Sequence, residues 1–438
     1  MHFYKSLITG FIGIVLFSFS SVAQSSAVIS LEEVKTKARD KNTSLKISQQ
    51  EYAVAKAQYE RTGAVLLPQL RVTNTSTFTN NPLYAFGYKL LQRDVSAADF
   101  DPATLNDPGN VENFNTRIEL MQPLINVDGW KERKTANLNL EAKNLQSERT
   151  NEFVELEVTK TYMQLQLAYK SLEVIEKAKQ TALQNQIWAK NNLDQGLIQS
   201  ADYLNMEVRV ADVENKLQVA HSNVQNVSDY LAFLMGDDTK VIFKPDTDLT
   251  LTDFAFDDSK GLNQDRKDIQ AMRISVDAQE QMLKSSKMSF VPRANAVANY
   301  EWNDNTVFGF GANNYMVGLQ LSWDIFSGYK NIGKIHQEKA MMEKASLNQQ
   351  KYIAESELEL NKAKRQFTDA RNHVHLSNLA MDQSKEVLRI TSNRFKQGME
   401  QSKDLLYAET QLNEKELENL QAIFNYNFTL AYIKFLTR

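Results

Sequence analysis

The chain has 438 residues, contains no cysteine and carries a formal net charge of −4. The lack of cysteine excludes a disulfide framework, a thiolate metal site, a cysteine nucleophile and a lipid-modified N-terminal cysteine. The nearly balanced charge also argues against nucleic-acid binding, which requires a clustered basic excess.

The first 23 residues have the three parts of a secretory signal peptide. Lys5 supplies positive charge, residues 7–19 form an apolar stretch, and Ser21-Val22-Ala23 offers small residues for cleavage. The alternative is an uncleaved membrane anchor, but the apolar stretch is shorter than the ~20 residues that span a bilayer. We therefore expect a cleaved signal peptide over residues 1–23 and an exported mature chain.

The rest of the chain repeats one plan. The segment NLDQGLIQSAD, which begins at Asn192, resembles the segment RFKQGMEQSKD, which begins at Arg394. Such internal similarity indicates two copies of one structural unit. We predict a first structural repeat over residues 24–236, a linker over 237–261 and a second repeat over 262–438.

Each repeat contains two segments in which apolar and polar residues alternate. In the second repeat, Tyr315, Val317 and Leu319 alternate with Met316 and Gly318. This alternation predicts strands with one apolar face, as in a transmembrane sheet whose other face meets water. A half-buried soluble sheet gives the same alternation, so the strands alone leave both readings open. The four predicted strands cover about residues 68–79, 113–125, 292–303 and 314–326.

The two strands of the first repeat are separated by a longer segment than those of the second. Residues 81–110 are rich in Asn, Asp, Pro and Gly, which predicts a long loop.

Very long helices are predicted after the strands. Residues 129–195 contain no Pro and no internal Gly and predict a rod of roughly 100 Å. Residues 328–397 repeat this rod. Apolar and small residues recur at every seventh position of the first rod, which predicts a coiled-coil seam. These residues are Val154, Thr161, Ala168, Ile175, Ala182 and Ala189.

Four strands cannot close into a membrane barrel. Lipid offers no hydrogen-bond partner to an open sheet edge, and the smallest membrane barrels have ~8 strands. The chain must therefore oligomerise if it spans a membrane. A dimer would give a small barrel with a filled interior, whereas a trimer would give a wider barrel with room for a channel.

Two similar tripeptides stand where a strand is followed by a rod. They are Gly129-Trp130-Lys131 and Gly328-Tyr329-Lys330. Aromatic rings favour the lipid–water boundary, so Gly would turn the chain, the ring would lie at headgroup level and Lys would face phosphate. The alternative is helix capping by Asp128 or Ser327 beside a chance aromatic residue. Because the tripeptide recurs in both repeats, we predict that Trp130 and Tyr329 are membrane-interface residues.

Together these features resemble the outer-membrane efflux (TolC-like) protein family. Residues 30–34 resemble its opening helix, and Leu66-Leu67-Pro68-Gln69-Leu70 resembles its helix-to-strand junction. Arg266-Lys267-Asp268-Ile269 resembles the start of its second half, with Lys267 in place of the family's Pro. Each motif is weak alone, but their order, spacing and duplication cover nearly the whole mature chain.

The resemblance implies a mainly α fold with a transmembrane β-barrel. Long coiled-coil helices would form a trimeric α-barrel below a 12-stranded β-barrel, to which each chain contributes four strands. The linker at 237–261 would pack around the equator of the α-barrel. The homotrimer would lie in the cell outer membrane, in contact with its lipid, and would have a large periplasmic part.

The resemblance also implies a function without an enzymatic step, a cofactor or a bound metal. The chain would be a subunit of the exit duct of a tripartite efflux or type I secretion system. Its partners would be a periplasmic adaptor (membrane fusion) protein and an inner-membrane transporter. The duct itself would be a passive conduit for exported solutes.

Each repeat has a turn between its two last helices, and we call these the tip turns (residues 194–203 and 396–405). In the family, each such turn presents a hydrophobic-Gly-hydrophobic signature to a helical hairpin of the adaptor. The resemblance therefore implies adaptor binding at Gln195, Gly196, Leu197, Gln397, Gly398 and Met399.

Other residues near the tip turns are expected to narrow the pore. Asp404 matches an aspartate at the family's tunnel mouth, and Tyr407 replaces a second one. Asp202 matches an acidic residue that helps to hold the mouth closed, but Glu400 stands where its Arg partner would be. Three copies of Asp404 would form a negative ring that favours cations. The alternative role for Asp202 and Asp404 is helix capping.

The main alternative to a conduit is a periplasmic structural coiled coil that binds partners and spans nothing. That class leaves the two matching Gly-aromatic-Lys tripeptides unexplained. An enzyme would need a nucleophile with its base, and no such constellation is present in the sequence. His373 and His375 are two residues apart on a predicted helix, so they point to different sides and make a poor metal pair.

Overall fold

The computed structural model describes residues 26–237, 241–252 and 261–438. The predicted signal peptide lies outside the described residues, and so do parts of the predicted linker, at 238–240 and 253–260. The helices and strands are β1 (Ser26–Ile29), α1 (Leu31–Lys41), α2 (Thr43–Arg61), β2 (Gln69–Thr79), α3 (Pro82–Gln92), α4 (Pro102–Asn106), β3 (Val111–Ile125), α5 (Val127–Asp194), α6 (Ser200–Met235), β4 (Ile242–Pro245), α7 (Lys267–Met288), β5 (Arg293–Asp304), β6 (Ala312–Ser322), α8 (Lys330–Lys396) and α9 (Ser402–Thr437).

Both halves follow the predicted order of helix, strand, strand, long helix and helix. The elements α2, β2, β3, α5 and α6 of the first half correspond to α7, β5, β6, α8 and α9 of the second. Helix α5 has 68 residues and helix α8 has 67, which confirms the two long rods. None of the described helices combines the length and apolarity needed to cross a membrane.

The chain divides into two compact units, each built from three stretches. One unit comprises residues 1–36, 160–250 and 377–424, and it contains both tip turns and the parallel pair of β1 and β4. The other unit comprises residues 37–159, 251–376 and 425–438, and it contains a four-stranded antiparallel sheet.

The predicted seam of α5 is confirmed by burial. Small and apolar side chains at every seventh position let a second helix approach closely. Val154, Thr161, Ala168, Ala182 and Ala189 are buried, and Ile175 is partly buried against the cluster that contains Ala168.

The sheet has the strand order β2-β3-β5-β6. Each repeat contributes one hairpin, and the antiparallel pair of β3 and β5 joins the two hairpins. Strands β2 and β6 are therefore the edges, and neither outer edge has a strand partner among the described residues.

Strand β6 is shorter than predicted. Alternation continues to residue 326, but β6 ends at Ser322, which pairs with the first residue of β5, Arg293. The residues that follow have no neighbouring strand to pair with at this point. The Trp323 indole N–H instead donates a hydrogen bond to the Phe290 carbonyl at 2.9 Å.

The register of the sheet places apolar side chains in rows across one face. Residues that are paired across neighbouring strands point to the same side. One row contains Leu70, Leu120, Ala298 and Val317, and the next contains Val72, Ile118, Tyr300 and Tyr315. We call this side the apolar face of the sheet.

The opposite side of the same strands is polar. The Arg117 guanidinium pairs with the Glu301 carboxylate at 2.7 Å. Near the loop end of the sheet, the Asn113 and Asn115 amides each donate to the Asn303 side-chain oxygen at 3.0 Å. We call this side the polar face of the sheet.

The segment between β2 and β3 is not the irregular loop that was predicted, because it contains α3 and α4. Asn81 caps α3, since its side-chain oxygen accepts from the amides of Leu83 at 3.1 Å and Tyr84 at 3.4 Å. Pro82 occupies the first turn, where no amide hydrogen is needed. Asn and Pro mark turns, but in this order they also begin helices.

Candidate functional site

The first tip turn ends α5 with a left-handed glycine. Gly196 has a φ of 71°, and its N–H donates to the Leu193 carbonyl at 2.8 Å. The Leu197 N–H donates to the Asn192 carbonyl, also at 2.8 Å. These two bonds satisfy the last carbonyls of the helix in a Schellman motif, which requires the positive φ that glycine adopts without strain.

The second tip turn repeats this geometry at the end of α8. Gly398 has a φ of 75°, and its N–H donates to the Phe395 carbonyl at 2.9 Å. The Met399 N–H donates to the Arg394 carbonyl at 2.9 Å. The two repeats therefore place glycine and the apolar residue after it in the same backbone arrangement.

The apolar residue after each glycine projects into solvent. In a Schellman motif this side chain often packs back on the helix. Here Leu197 is 67% exposed and Met399 is 59% exposed. Gln195 and Gln397 are exposed as well. All six residues expected to bind an adaptor thus lie at the surface of the turns.

A small apolar core beneath the turns holds them together. It contains Ala189, Met206, Phe395 and Leu405 from four helices, and Trp188 packs at its edge. The rings of Trp188 and Phe395 lie 4.7 Å apart between centroids. This core was missed in the sequence, since it joins residues that are far apart in the chain.

Asp202 links the two turns as well as capping a helix. It is the third residue of α6, and its carboxylate accepts from the Gln199 N–H at 3.3 Å in a capping box. The Ser402 hydroxyl at the start of α9 donates to the same carboxylate at 2.5 Å. The described contacts of Asp202 thus include both the capping role and a bond between the turns.

The other residues expected in the pore do not join Asp202 in one cluster. Glu400 pairs with Arg394 in the last turn of α8 at 3.4 Å. Asp404 is half-buried in the first turn of α9, and its carboxylate has no hydrogen-bond or ion-pair partner among the described residues. Tyr407 follows one turn later and is 68% exposed. Asp404 and Tyr407 therefore lie on one side of α9.

An open groove runs between the two turns. Its volume is about 630 Å3, and its walls include Trp188, Leu197, Asp202, Gly398, Glu400 and Ser402. The groove therefore combines apolar side chains with two carboxylates. No group of three or more His, Asp or Glu side chains in the described part of the chain is arranged to hold a metal ion.

A buried polar cluster lies farther along the same helices. Glu409 of α9 is 5% exposed and Arg209 of α6 is 8% exposed. The Asn185 amide of α5 donates to the Glu409 carboxylate. Burial raises the pKa of Glu409, although Arg209 and Asn185 act in the opposite direction. No sequence signal joins these three residues, because they come from three helices.

The two junction tripeptides differ in structure. Gly328 has a φ of 62° and turns the chain, as predicted. Gly129 instead lies inside the first turn of α5, so the prediction that it turns the chain is wrong. A Cβ at this position would meet the Asn126 side chain at 2.7 Å, and that side chain caps the helix by accepting from the Gly129 N–H at 3.2 Å.

Both junction aromatics are exposed, as an interface role requires. Trp130 is 41% exposed and Tyr329 is 72% exposed. The capping alternative for Asp128 finds no support, because its buried carboxylate accepts hydrogen bonds from Arg293 at the start of β5. The interface role of the two rings stays a prediction.

Solved structures with the same fold include outer-membrane channels. A membrane protein from Pseudomonas aeruginosa matches with a TM-score of 0.80 and 16% identity, over 93% of each chain. The CmeC outer membrane channel of Campylobacter jejuni matches with a TM-score of 0.79 and 15% identity, over 100% of this chain and 94% of that one. The open MtrE outer membrane channel of Neisseria gonorrhoeae matches with a TM-score of 0.76 and 15% identity, over 93% of this chain and 88% of that one.

Structural similarity at such low sequence identity establishes only the fold. A comparison of sequences identifies the family. No curated protein matches the chain. The sequence profile described as "Outer membrane efflux protein" matches residues 35–237 and 260–432. This match covers most of the chain and includes both repeats. The chain therefore belongs to the outer membrane efflux protein family.

Proposed function

We propose that three copies of this chain form a duct across the outer membrane. An inner-membrane transporter would feed this duct through a periplasmic adaptor. Membership of the family makes the chain a passive efflux channel of the outer membrane and not an enzyme. The trimer, the lipid-facing surface and the two partners are the parts that we propose.

The apolar face of the sheet is the observation that carries the proposal. Tyr315, Val317, Leu319 and Leu321 of β6 are between 71% and 80% exposed in the single chain. At ~3.4 Å per residue, the part of β6 from Tyr315 to Leu321 is roughly 20 Å long. Outer-membrane strands present an apolar band of ~25 Å to lipid, so the dimensions agree.

The two free edges of the sheet support a trimer. Lipid cannot satisfy the backbone groups of β2 and β6, so each edge needs a strand from another copy. Three copies of the four-stranded sheet contribute twelve strands, which close with β6 of one copy beside β2 of the next. Arg117 and Gln320 of the polar face then line a water-filled interior.

The tip turns support docking of an adaptor. Leu197 and Met399 are apolar, exposed and held in matching backbone geometry by Gly196 and Gly398. A partner with repeated apolar pockets could engage both turns of every copy. The groove between the turns adds the Asp202 and Glu400 carboxylates as polar contacts.

Single-channel conductance of the detergent-purified oligomer in a planar bilayer tests the proposal. We expect discrete, cation-preferring openings, and we expect addition of the adaptor to raise the open probability. A mature protein that stays soluble and never inserts would contradict the duct and favour the periplasmic coiled coil. Light scattering of the same sample measures the number of copies independently.

A further inference from the structure

We propose that α3 of three copies meets at the outer mouth of the duct and forms an apolar collar that narrows it. This inference rests on the proposed trimeric duct and adds a second constriction to it. The collar residues are Leu83, Tyr84, Leu90 and Leu91.

Helix α3 lies over the polar face at the loop end of the sheet. It contacts β3, β5 and β6. The Gln92 amide at its C-terminus donates to the Asn113 side-chain oxygen at 2.9 Å, and Asn113 belongs to the polar face. Asn113, Asn303 and Ala312 are at most 2% exposed at this end of the sheet. In a closed barrel the polar face looks inward, so α3 lies inside the mouth.

The two sides of α3 differ in burial. Ala85 is fully buried, and Tyr88 and Gln92, on the same side of the helix, are half-buried. This side therefore faces the sheet, and the opposite side faces across the lumen. The opposite side is apolar and exposed, with Leu83 at 78%, Tyr84 at 59%, Leu90 at 52% and Leu91 at 40%.

Polar contacts fix α3 in this position. The Arg93 guanidinium donates to the Asn313 carbonyl at 2.8 Å. The Lys89 ammonium donates to the Asp99 carboxylate at 2.6 Å, and the Ser96 N–H and hydroxyl donate to its other oxygen. The Lys89 hydrogen bond, followed by those from Ser96, lowers the pKa of Asp99 to about 2, so this carboxylate stays ionised at acidic pH values at which an ordinary Asp is protonated.

The dimensions of a trimeric barrel suit such a collar. A barrel of ~12 strands, spaced ~4.8 Å apart and tilted by ~40°, is roughly 24 Å across. An α-helix with its side chains is ~10–12 Å wide, so three helices in a ring need roughly 22–26 Å and leave little free width at the mouth. Contact between copies would also cover an apolar surface that would otherwise meet water.

An apolar collar resists the passage of water and ions. Narrow hydrophobic constrictions close by dewetting, without a charged or moving plug. The collar would therefore be a second barrier, built from different chemistry than the carboxylates near the tip turns.

Cysteine cross-linking tests whether the collar residues of different copies meet. The chain contains no cysteine, so a single introduced thiol can react only with the same position of another copy. We expect a short bismaleimide to shift Leu83→Cys, Tyr84→Cys, Leu90→Cys or Leu91→Cys from monomer to dimer mobility. Leu319→Cys is the matched control for Leu83→Cys, because Leu319 is as exposed as Leu83 but lies on the apolar face.

A second experiment measures the barrier itself. Thr75 is exposed on the polar face, so Thr75→Cys reports access to the lumen. We expect the pair Leu83→Asp and Leu91→Asp to speed its reaction with a bulky maleimide added outside cells by about tenfold, because charge opens and hydrates a dewetted constriction.

The outcomes separate the collar from the duct. A trimer by light scattering that gives no cross-link at any of the four positions, or an unchanged labelling rate of Thr75→Cys, would overturn the collar and leave the duct intact. A particle that is not a trimer would contradict the proposed function itself.

Discussion

Asp404 and Glu400 lie near the same tip turn, but only one of them has its charge compensated. Glu400 pairs with Arg394 of its own chain, whereas the Asp404 carboxylate has no partner among the described residues. An uncompensated carboxylate, repeated by three-fold symmetry, sets the local potential of a narrow mouth. Asp404 is thus the better candidate for ion selection.

We expect Asp404→Asn to lower the cation preference of the channel, because it removes a ring of three charges at almost constant volume. The reversal potential under a salt gradient measures this preference. Glu400→Gln is the control and should change it much less. Unaltered selectivity in both Asp404→Asn and Asp404→Ala would leave Asp404 with no role in the pore.

Glu409 is a buried acid whose ionised form is poorly solvated. Its pKa is raised above 4.5, mainly by burial, so folding favours the protonated carboxyl. The stability that this group contributes is therefore complete below its ordinary pKa and is lost as the pH rises through the raised value. Arg209 and Asn185 reduce the loss without cancelling it.

We expect the wild type to gain thermal stability from Glu409 between neutral pH and about pH 4, which is below the ordinary pKa of 4.5, and we expect Glu409→Gln to gain less. Gln keeps the size of the side chain and an oxygen that can accept from Asn185. Circular dichroism at the two pH values gives the unfolding midpoints. Exposed Glu386, paired with Arg389, provides the control Glu386→Gln. Equal pH dependence of wild type and Glu409→Gln would disprove the assignment.

Residue roles were predictable where they depend on local chain geometry. Gly196 and Gly398 end helices in both repeats, and the repeated segments around them show it in the sequence. The bond between Ser402 and Asp202 was not predictable, because it depends on how α9 meets α6. Gly129 was misassigned because glycine is needed there for a steric reason, the close approach of the Asn126 side chain.

At the scale of elements, each tip turn depends on one glycine in the left-handed region, Gly196 in the first turn and Gly398 in the second. A Cβ on Gly196 would meet no atom within 4 Å, so space does not require glycine there. The positive φ requires it, since an L-residue with a side chain is strained in the left-handed region.

We expect Gly196→Ala to destabilise the first tip turn by about 1–2 kcal/mol, the cost of placing alanine in the left-handed region. Gly196→Asn should cost less, since Asn tolerates this region. Hydrogen exchange of the last amides of α5 measures the difference. Equal protection in the Ala and Asn variants would show that φ does not limit this turn.

The long helices and the strands were predictable as elements because their periodicity extends over many residues. The end of β6 was not, because alternation continues past Ser322 while the partner strand stops at Arg293. Helix α3 was missed because Asn, Pro and Gly were taken as loop signals, although Asn81 and Pro82 together begin a helix.

At the scale of the whole molecule, the two faces of the sheet suit side chains of opposite polarity. Leu319 and Gln320 are neighbours in β6, and both are exposed in the single chain. They point to opposite faces, since successive side chains alternate along a strand. In the proposed duct Leu319 meets lipid and Gln320 meets water.

We expect Leu319→Arg to prevent stable insertion, since an arginine on the lipid face costs about 2–4 kcal/mol near the middle of the bilayer. Gln320→Arg should be tolerated. The yield of oligomer in the outer-membrane fraction measures both variants. Equal yields of the two would contradict a lipid-facing surface on this side of the sheet.

The repeated plan of the chain was predictable from its duplicated segments, but the neighbours within the sheet were not. Alternation predicts two strands in each half, but neither alternation nor the similarity of the halves indicates which strand of one half pairs with which strand of the other. The pairing of β3 with β5 is a tertiary choice between two similar hairpins.

The pairing of β3 with β5 has a consequence for how the chain folds. Strand β3 precedes α5 and α6 in the sequence, and β5 follows them. The first hairpin therefore cannot pair with the second until the second repeat has been exported. Long-range strand pairing is slow, and unpaired apolar strands invite aggregation in the meantime. Helices α5 and α6 consist of local contacts and can form early, which brings the first hairpin to its partner before the sheet exists.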